Sequence, residues 1–72
     1  MRYVVIGLGF FGSSLAAKLT LLGHEVIGID KYAERADELK DKITKVMIMD
    51  CARQNALAAL PLADADAVIV AI

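Results

Sequence analysis

Tyr3-Val4-Val5-Ile6-Gly7-Leu8-Gly9-Phe10-Phe11-Gly12 is a short apolar run, rich in β-branched residues, that breaks abruptly into three glycines. A run of this length and type reads as a buried strand. Beyond it the period changes: Leu15, Leu19 and Leu22 recur at helical spacing, and Gly23 stands where a C-terminal cap belongs. His24 and Glu25 then lead into Val26-Ile27-Gly28-Ile29, a second short apolar run closing on Asp30. Strand, glycine loop, helix and strand make a βαβ unit within about 30 residues.

The pattern repeats downstream. A second helix is predicted from about Tyr32 to Lys40, with Ala33, Ala36 and Leu39 facing the sheet and its charged residues facing solvent. Val46-Met47-Ile48-Met49 reads as a third strand ending at Asp50. A third helix is predicted from about Arg53 to Leu60, stopped by Pro61. Asp64 and Asp66 mark a turn, and Ala67 to Ile72 reads as a fourth strand. Alternation of this kind demands an α/β fold with a parallel sheet, and predicts strand order 3-2-1-4. That is the first half of a Rossmann-like doubly wound domain, and residues 1–72 form one such part-domain. Its ligand crevice lies outside the carboxyl ends of strands one and four.

The spacing Gly7-x-Gly9-x-x-Gly12 has a separate physical reason at each position: a tight turn, close approach of backbone to a phosphate, and close packing of helix on strand. The helix that follows presents unpaired amides to an anion. Ser13 and Ser14, in its first turn, are candidates to donate to phosphate or to cap those amides. Asp30 lies eighteen positions beyond Gly12 at the end of the next strand, placed to accept hydrogen bonds from ribose hydroxyls. Its charge opposes a 2′-phosphate and so favours NAD(H) or an adenosine nucleotide over NADP. Lys31 sits either beside the adenosine or on the solvent surface.

With 58% hydrophobic residues but only two tyrosines and two phenylalanines, the apolar content is mostly small and aliphatic, which suits strands covered on both faces. A net charge of −1 without a basic block disfavours nucleic acid and anionic membranes as direct partners. Cys51 is the single cysteine, which excludes an internal disulfide and suits a reducing compartment. No cysteine–histidine spacing suggests a metal site. Arg2 and the apolar stretch from Tyr3 to Ala17 imitate a secretory signal, but three glycines and two serines interrupt it, and the strand–loop–helix reading explains the same residues better. His24 reads as a hydrogen-bonded turn histidine, and Cys51 as a small packing residue.

The segments VVIGLGFFGSSLA (4–16), GHEVIGID (23–30), Asp50-Cys51-Ala52 and DADAVIVAI (64–72) together resemble the KTN or RCK N-terminal (TrkA-N) nucleotide-binding domain of Trk- and Ktr-type potassium transport regulators. The resemblance covers the whole chain. It implies a non-enzymatic, cytoplasmic regulatory subunit, able to lie at the inner face of the membrane through a partner. Such a subunit forms homo-oligomers and gates a potassium channel or transporter through ligand-dependent changes in subunit packing. It also implies that Asp50, Cys51 and Ala52 help to enclose the adenine. The chain departs from the family where Phe10 replaces a frequent phosphate-binding arginine, where Ala52 lacks a capping hydroxyl, and at Met49 and Pro61.

The expected ligand contacts are thus Gly7, Gly9, Phe10, Phe11 and Gly12 in the loop, Asp30 and Lys31 after the second strand, and Asp50 and Cys51 after the third. Without an arginine at position 10, phosphate is held mainly by backbone amides and the helix dipole. NAD(H) is therefore the first expectation, with ATP or ADP as alternatives. Two other readings stay open: the cofactor-binding half of an NAD-dependent dehydrogenase, and a module that only dimerises.

Overall fold

The computed structural model describes residues 1–50 and 65–71. Four strands, β1 (Arg2–Ile6), β2 (Glu25–Asp30), β3 (Lys45–Ile48) and β4 (Ala67–Val70), form one parallel sheet in the order β3-β2-β1-β4. Helix α1 (Phe10–Leu21) joins β1 to β2, and α2 (Ala33–Leu39) joins β2 to β3. The strand order is the one that the alternation of elements predicts. The third helix expected at 53–60, like Cys51, Ala52, Pro61 and Asp64, lies outside the described residues.

Register explains why the central strands read as continuous apolar runs. Val5 lies between Gly28 of β2 and Ile69 of β4, while Val4 lies between Ile27 and Val68. Successive residues therefore face opposite sides of the sheet, and each side carries buried apolar residues. On one side Val5 and Val26 pack with Leu8, with Ala16 of α1, with Leu39 of α2 and with Ile43. On the other, Val4, Ile6 and Ile29 pack with Ile27, Met47, Met49 and Ala65. Both described helices thus cover the same face.

The leucine spacing announces α1, and one of those leucines is on its buried side. The residues that meet the sheet are Gly12, Ala16 and Leu19, whereas Leu22 is exposed. The helix ends at Leu21, and Leu22 is its C-cap, so helical spacing no longer sets the direction of that side chain. Gly23 follows at φ +92°, the left-handed conformation that a glycine cap supplies, and its amide donates to the Thr20 carbonyl. In α2, Ala36 and Leu39 are buried as expected, but Ala33 is exposed because it opens the helix at the sheet's edge.

Strand limits shift by a residue or two. β3 begins at Lys45, paired with Ile27, and Met49 lies past its end while still donating to the Asp30 carbonyl. β4 stops at Val70, though the Ala71 amide still reaches the Ile6 carbonyl. Asp66 sits at the turn into β4 and binds both ways: its carboxylate accepts the Arg2 amide at 2.6 Å and its own amide donates to the Arg2 carbonyl at 2.8 Å. His24 is a turn residue in contact with the Met1 amino group and edge-on to the Tyr3 ring.

Candidate functional site

The carboxyl ends of the strands converge on a cleft of about 330 Å³. Its floor comes from the end of β1 and the loop beyond it, through Ile6, Gly7 and Gly9. One wall is the β2–α2 junction, with Asp30, Lys31, Tyr32 and Arg35; the other is Met49, Asp50 and Ala71 at the ends of β3 and β4. The sheet order places the cleft where β1 and β4 adjoin, the switch point at which open α/β sheets bind ligands.

The glycine loop is built for close approach. Gly7 turns the chain at φ +96° while its amide stays bound to the Ile29 carbonyl at 2.8 Å. Gly9 is the N-cap of α1 and has no side chain to cap with. The first intrahelical bond runs from the Ser13 amide to the Gly9 carbonyl, so the amides of the preceding turn are left for another acceptor. Around a Cβ placed on Gly9, the only non-neighbouring atom within 4 Å among the described residues is the Arg35 guanidinium at 3.8 Å, which leaves room for a ligand here. Gly12 is different: a Cβ there falls 1.8 Å from the Gly7 carbonyl oxygen. It holds helix against strand and does not line the cleft.

Phe10 and Phe11 are exposed and do not line the cleft, so any part they play in binding comes through their amides. Ser13 and Ser14 neither cap nor face the cleft: both hydroxyls donate to the Phe10 carbonyl, at 3.2 and 2.8 Å. Serine in a first turn often bonds back to the preceding carbonyls in this way.

Asp30 is the buried charge of the site, with 3% of its side chain exposed. One oxygen accepts the Tyr32 amide at 2.8 Å; the other accepts the Leu8 amide at 2.8 Å and the Arg35 guanidinium at 3.4 Å. Burial alone raises a carboxyl pKa, but here the two amides, and Arg35 after them, outweigh it and hold Asp30 below the ordinary aspartate value. The Leu8 bond ties the β2 acid directly to the glycine loop. Leu8 also buries its own side chain in the core, a role that the variable letter of a G-x-G pattern does not announce.

Sequence reasoning missed Tyr32 and Arg35. The polar face of α2 reads as solvent exposure, yet Arg35 lies in the first turn of the helix and reaches back over the strand end to Asp30. Tyr32 has two cations near its ring, with Lys31 Nζ 5.2 Å and Arg35 Cζ 5.0 Å from the ring centre. Lys31 is therefore both exposed and part of the cleft wall. Asp50 lines the opposite wall, and Cys51 falls outside the described residues.

A loop that clears space for phosphate, an uncapped helix start and an acid at the neighbouring strand end are one constellation, and residues 3–72 match the family model described as the TrkA-N domain. The chain belongs to the TrkA-N domain family. Over 71 residues this TrkA-N domain is 35% identical to the Ktr system potassium uptake protein A of Bacillus subtilis (strain 168), and 31% identical to the protein of the same name from Vibrio alginolyticus. In both cases the match covers 99% of the chain and 32% of the relative, so the chain spans about a third of the length of these curated relatives.

Solved structures of similar fold include a putative NAD-dependent epimerase/dehydratase from Bacillus halodurans, with TM-score 0.77 and 26% identity over 99% of this chain and 33% of that one. A serine dehydrogenase from Escherichia coli superposes with TM-score 0.78 and 27% identity over 94% of this chain and 36% of that one. The TrkA-N domain is thus a Rossmann-type nucleotide-binding fold. Among the described residues, no helix is long and apolar enough to cross a membrane.

The cleft residues fit the adenosine diphosphate part of a dinucleotide or an adenine nucleotide. Gly9 leaves room for a phosphate, the start of α1 offers amides to it, and Asp30 retains acceptor capacity for a ribose hydroxyl.

Proposed function

We propose that this protein is a nucleotide-binding regulatory subunit of a potassium uptake system, working in the cytoplasm and reaching the inner face of the membrane through its transporter partner. The observation that carries the reading is the cleft itself, with the Gly7–Gly12 loop on one side and a buried Asp30 on the other, in a chain whose relatives are named as potassium uptake proteins. Gly7, Gly9 and the amides of Phe10, Phe11 and Gly12 hold the diphosphate. Asp30 receives the ribose, while Lys31, Asp50 and Cys51 border the adenosine. NAD(H) is the preferred ligand, because the Asp30 carboxylate opposes a 2′-phosphate, with ATP or ADP next.

Gating requires that the ligand bind two arrangements of the subunits unequally, since equal affinity shifts no equilibrium. The chain has surfaces for such assembly. β3 and β4 are the sheet edges, and Val68 and Val70 of β4 are exposed on the side shared with Val4 and Ile6. Among the described residues no strand lies beside the outer edge of β4, and such an edge favours pairing with a further strand, of the same protein or of a second copy. Sedimentation at micromolar concentration is expected to show a species heavier than one chain; a stable monomer counts against assembly through this domain.

The dehydrogenase reading draws on the two solved enzymes of similar fold. Binding a nicotinamide cofactor performs no reaction by itself, and fold alone does not assign one. Equilibrium titration with NADH, NADPH, NAD, ATP and ADP, alongside an assay for substrate-dependent NADH oxidation, separates the two. Saturable binding without turnover, with NADH held more tightly than NADPH, is the expected result. Turnover with a small substrate overturns the regulatory assignment.

A further inference from the structure

Phe10 stands in the glycine loop, apolar and 93% exposed, so the loop itself brings no positive charge to a phosphate. The cleft nevertheless has a cation aimed at the loop. Arg35 rises from the first turn of α2, lines the cleft and keeps about half its side chain exposed. One guanidinium nitrogen lies 3.4 Å from Asp30 Oδ2 and 3.8 Å from the position that a Cβ of Gly9 would take. That second distance matters most, because the Cβ side of Gly9 is the space through which a diphosphate approaches the helix start. The guanidinium stands beside the phosphate's place and holds on to the ribose's acceptor.

Hydrogen-bond capacity shows what binding must change. A carboxylate has about four lone-pair sites, and Asp30 already accepts from Leu8, Tyr32 and Arg35. The two amide bonds at 2.8 Å come from fixed backbone, whereas the Arg35 bond is long, partly solvated and made by a flexible side chain. A ribose diol needs two acceptor sites, and the Arg35 bond is the one that can be given up. A guanidinium released from Asp30 has a planar fork of donors suited to phosphate oxygens, and Tyr32, 5.0 Å away, gives its flat face a surface to lean on as it swings.

Resting on the nucleotide-binding reading above, we propose that Arg35 is a phosphate-contacting residue of this site: a nucleotide 5′-diphosphate takes the guanidinium from Asp30, and the acceptor site freed on Asp30 Oδ2, which keeps its Leu8 amide, receives a ribose hydroxyl. The exchange supplies, from α2, the charge that Phe10 does not supply from the loop. It also makes recognition of the two halves of the ligand interdependent, since neither the ribose nor the diphosphate is fully bound until Arg35 has changed partners.

Calorimetric titration of the wild-type protein, Arg35→Ala and Arg35→Lys with ADP and with adenosine tests this, with Lys18→Ala on the outer side of α1 as a control for the loss of one positive charge. Arg35→Ala is expected to weaken ADP binding by about tenfold or more, while adenosine binding is unchanged or tighter because Asp30 has been freed. Arg35→Lys, which keeps the charge without the fork, is expected to fall between. Equal losses for ADP and adenosine show that Arg35 acts only by positioning Asp30, and overturn the proposal. Unchanged ADP binding in Arg35→Ala, or an equal loss in Lys18→Ala, overturns it too while leaving the nucleotide site standing. Failure of the wild-type protein to bind either ligand removes the site and the proposal together.

Discussion

Gly12→Ala is expected to lower the stability of the fold by about 2–3 kcal/mol and to weaken nucleotide binding in the same variant. The added Cβ would sit 1.8 Å from the Gly7 carbonyl oxygen, 2.9 Å from the Gly7 carbonyl carbon and 3.3 Å from Ala71 Cβ. The first two are backbone atoms of a turn fixed by a positive φ and by the bond from Gly7 to Ile29, so no side chain can move aside. Helix α1 must lift away from β1, pulling Ala16 from the core that it shares with Val5 and Leu8. Alanine is a better helix former than glycine by about 1 kcal/mol, which offsets part of the loss but not a contact far inside van der Waals distance. Gly9→Ala provides the contrast. Its φ of −68° suits any residue, and among the described residues its Cβ meets only the tip of Arg35, at 3.8 Å. That variant should keep its stability and lose affinity for ADP and NADH. Urea denaturation of both variants, with titration of the same samples, checks the pair. Wild-type stability in Gly12→Ala would mean that the helix is not seated as the structure places it.

The two glycines show where the sequence was legible and where it was not. A glycine pattern, an acid at the next strand end and the alternation of apolar runs are local signals with one physical solution each, and the sheet order and the cleft follow from them. The contacts of α1 were not legible, because that helix is apolar nearly all round: its leucines give the helical period, while Gly12 and Ala16, chosen for close approach, mark the face that meets the sheet together with Leu19. Leu8 was hidden for a related reason. Its side chain fills the core and its amide binds Asp30, yet its position in the motif accepts any residue. Arg35 was hidden by periodicity, since a charged residue on the outer side of an amphipathic helix is ordinarily solvated. Only the shortness of the β2–α2 junction brings the first turn of α2 back over the strand end.

Asp30→Ala is expected to cost about 3 kcal/mol and to abolish tight nucleotide binding, and the comparison with Asp30→Asn separates the causes. Alanine leaves the Leu8 amide without its acceptor in a buried position, loosens the Tyr32 amide at the start of α2 and releases Arg35. An unpaired buried amide carries its full desolvation penalty, whereas the pair with the half-exposed Arg35 is screened by solvent and contributes little. Asparagine keeps one oxygen for one of the two amides and turns an NH2 toward the other, so its loss should be smaller than that of alanine but still measurable.

Acid distinguishes the two further. The Asp30 pKa is lowered in the folded state against the pull of burial, by the Leu8 and Tyr32 amides and then by Arg35. Its contribution is therefore fully present above the unfolded aspartate pKa of about 3.9, and is lost as the pH falls through the lower folded value. Denaturation of the wild type and of Asp30→Asn at a series of pH values should show a gap that is constant near neutrality and narrows only below about pH 4. A gap that instead closes between neutrality and pH 5 would mean that burial, not the amides, governs this carboxylate. On the binding side, Asp30→Asn removes the charge that opposes a 2′-phosphate while Lys31 stays on the cleft wall next to it. The ratio of NADPH to NADH affinity should therefore rise in that variant. An unchanged ratio would mean that Asp30 is too deeply engaged with Leu8 and Tyr32 to sense the 2′ position, and that the preference for NAD(H) has to be sought elsewhere on the cleft wall.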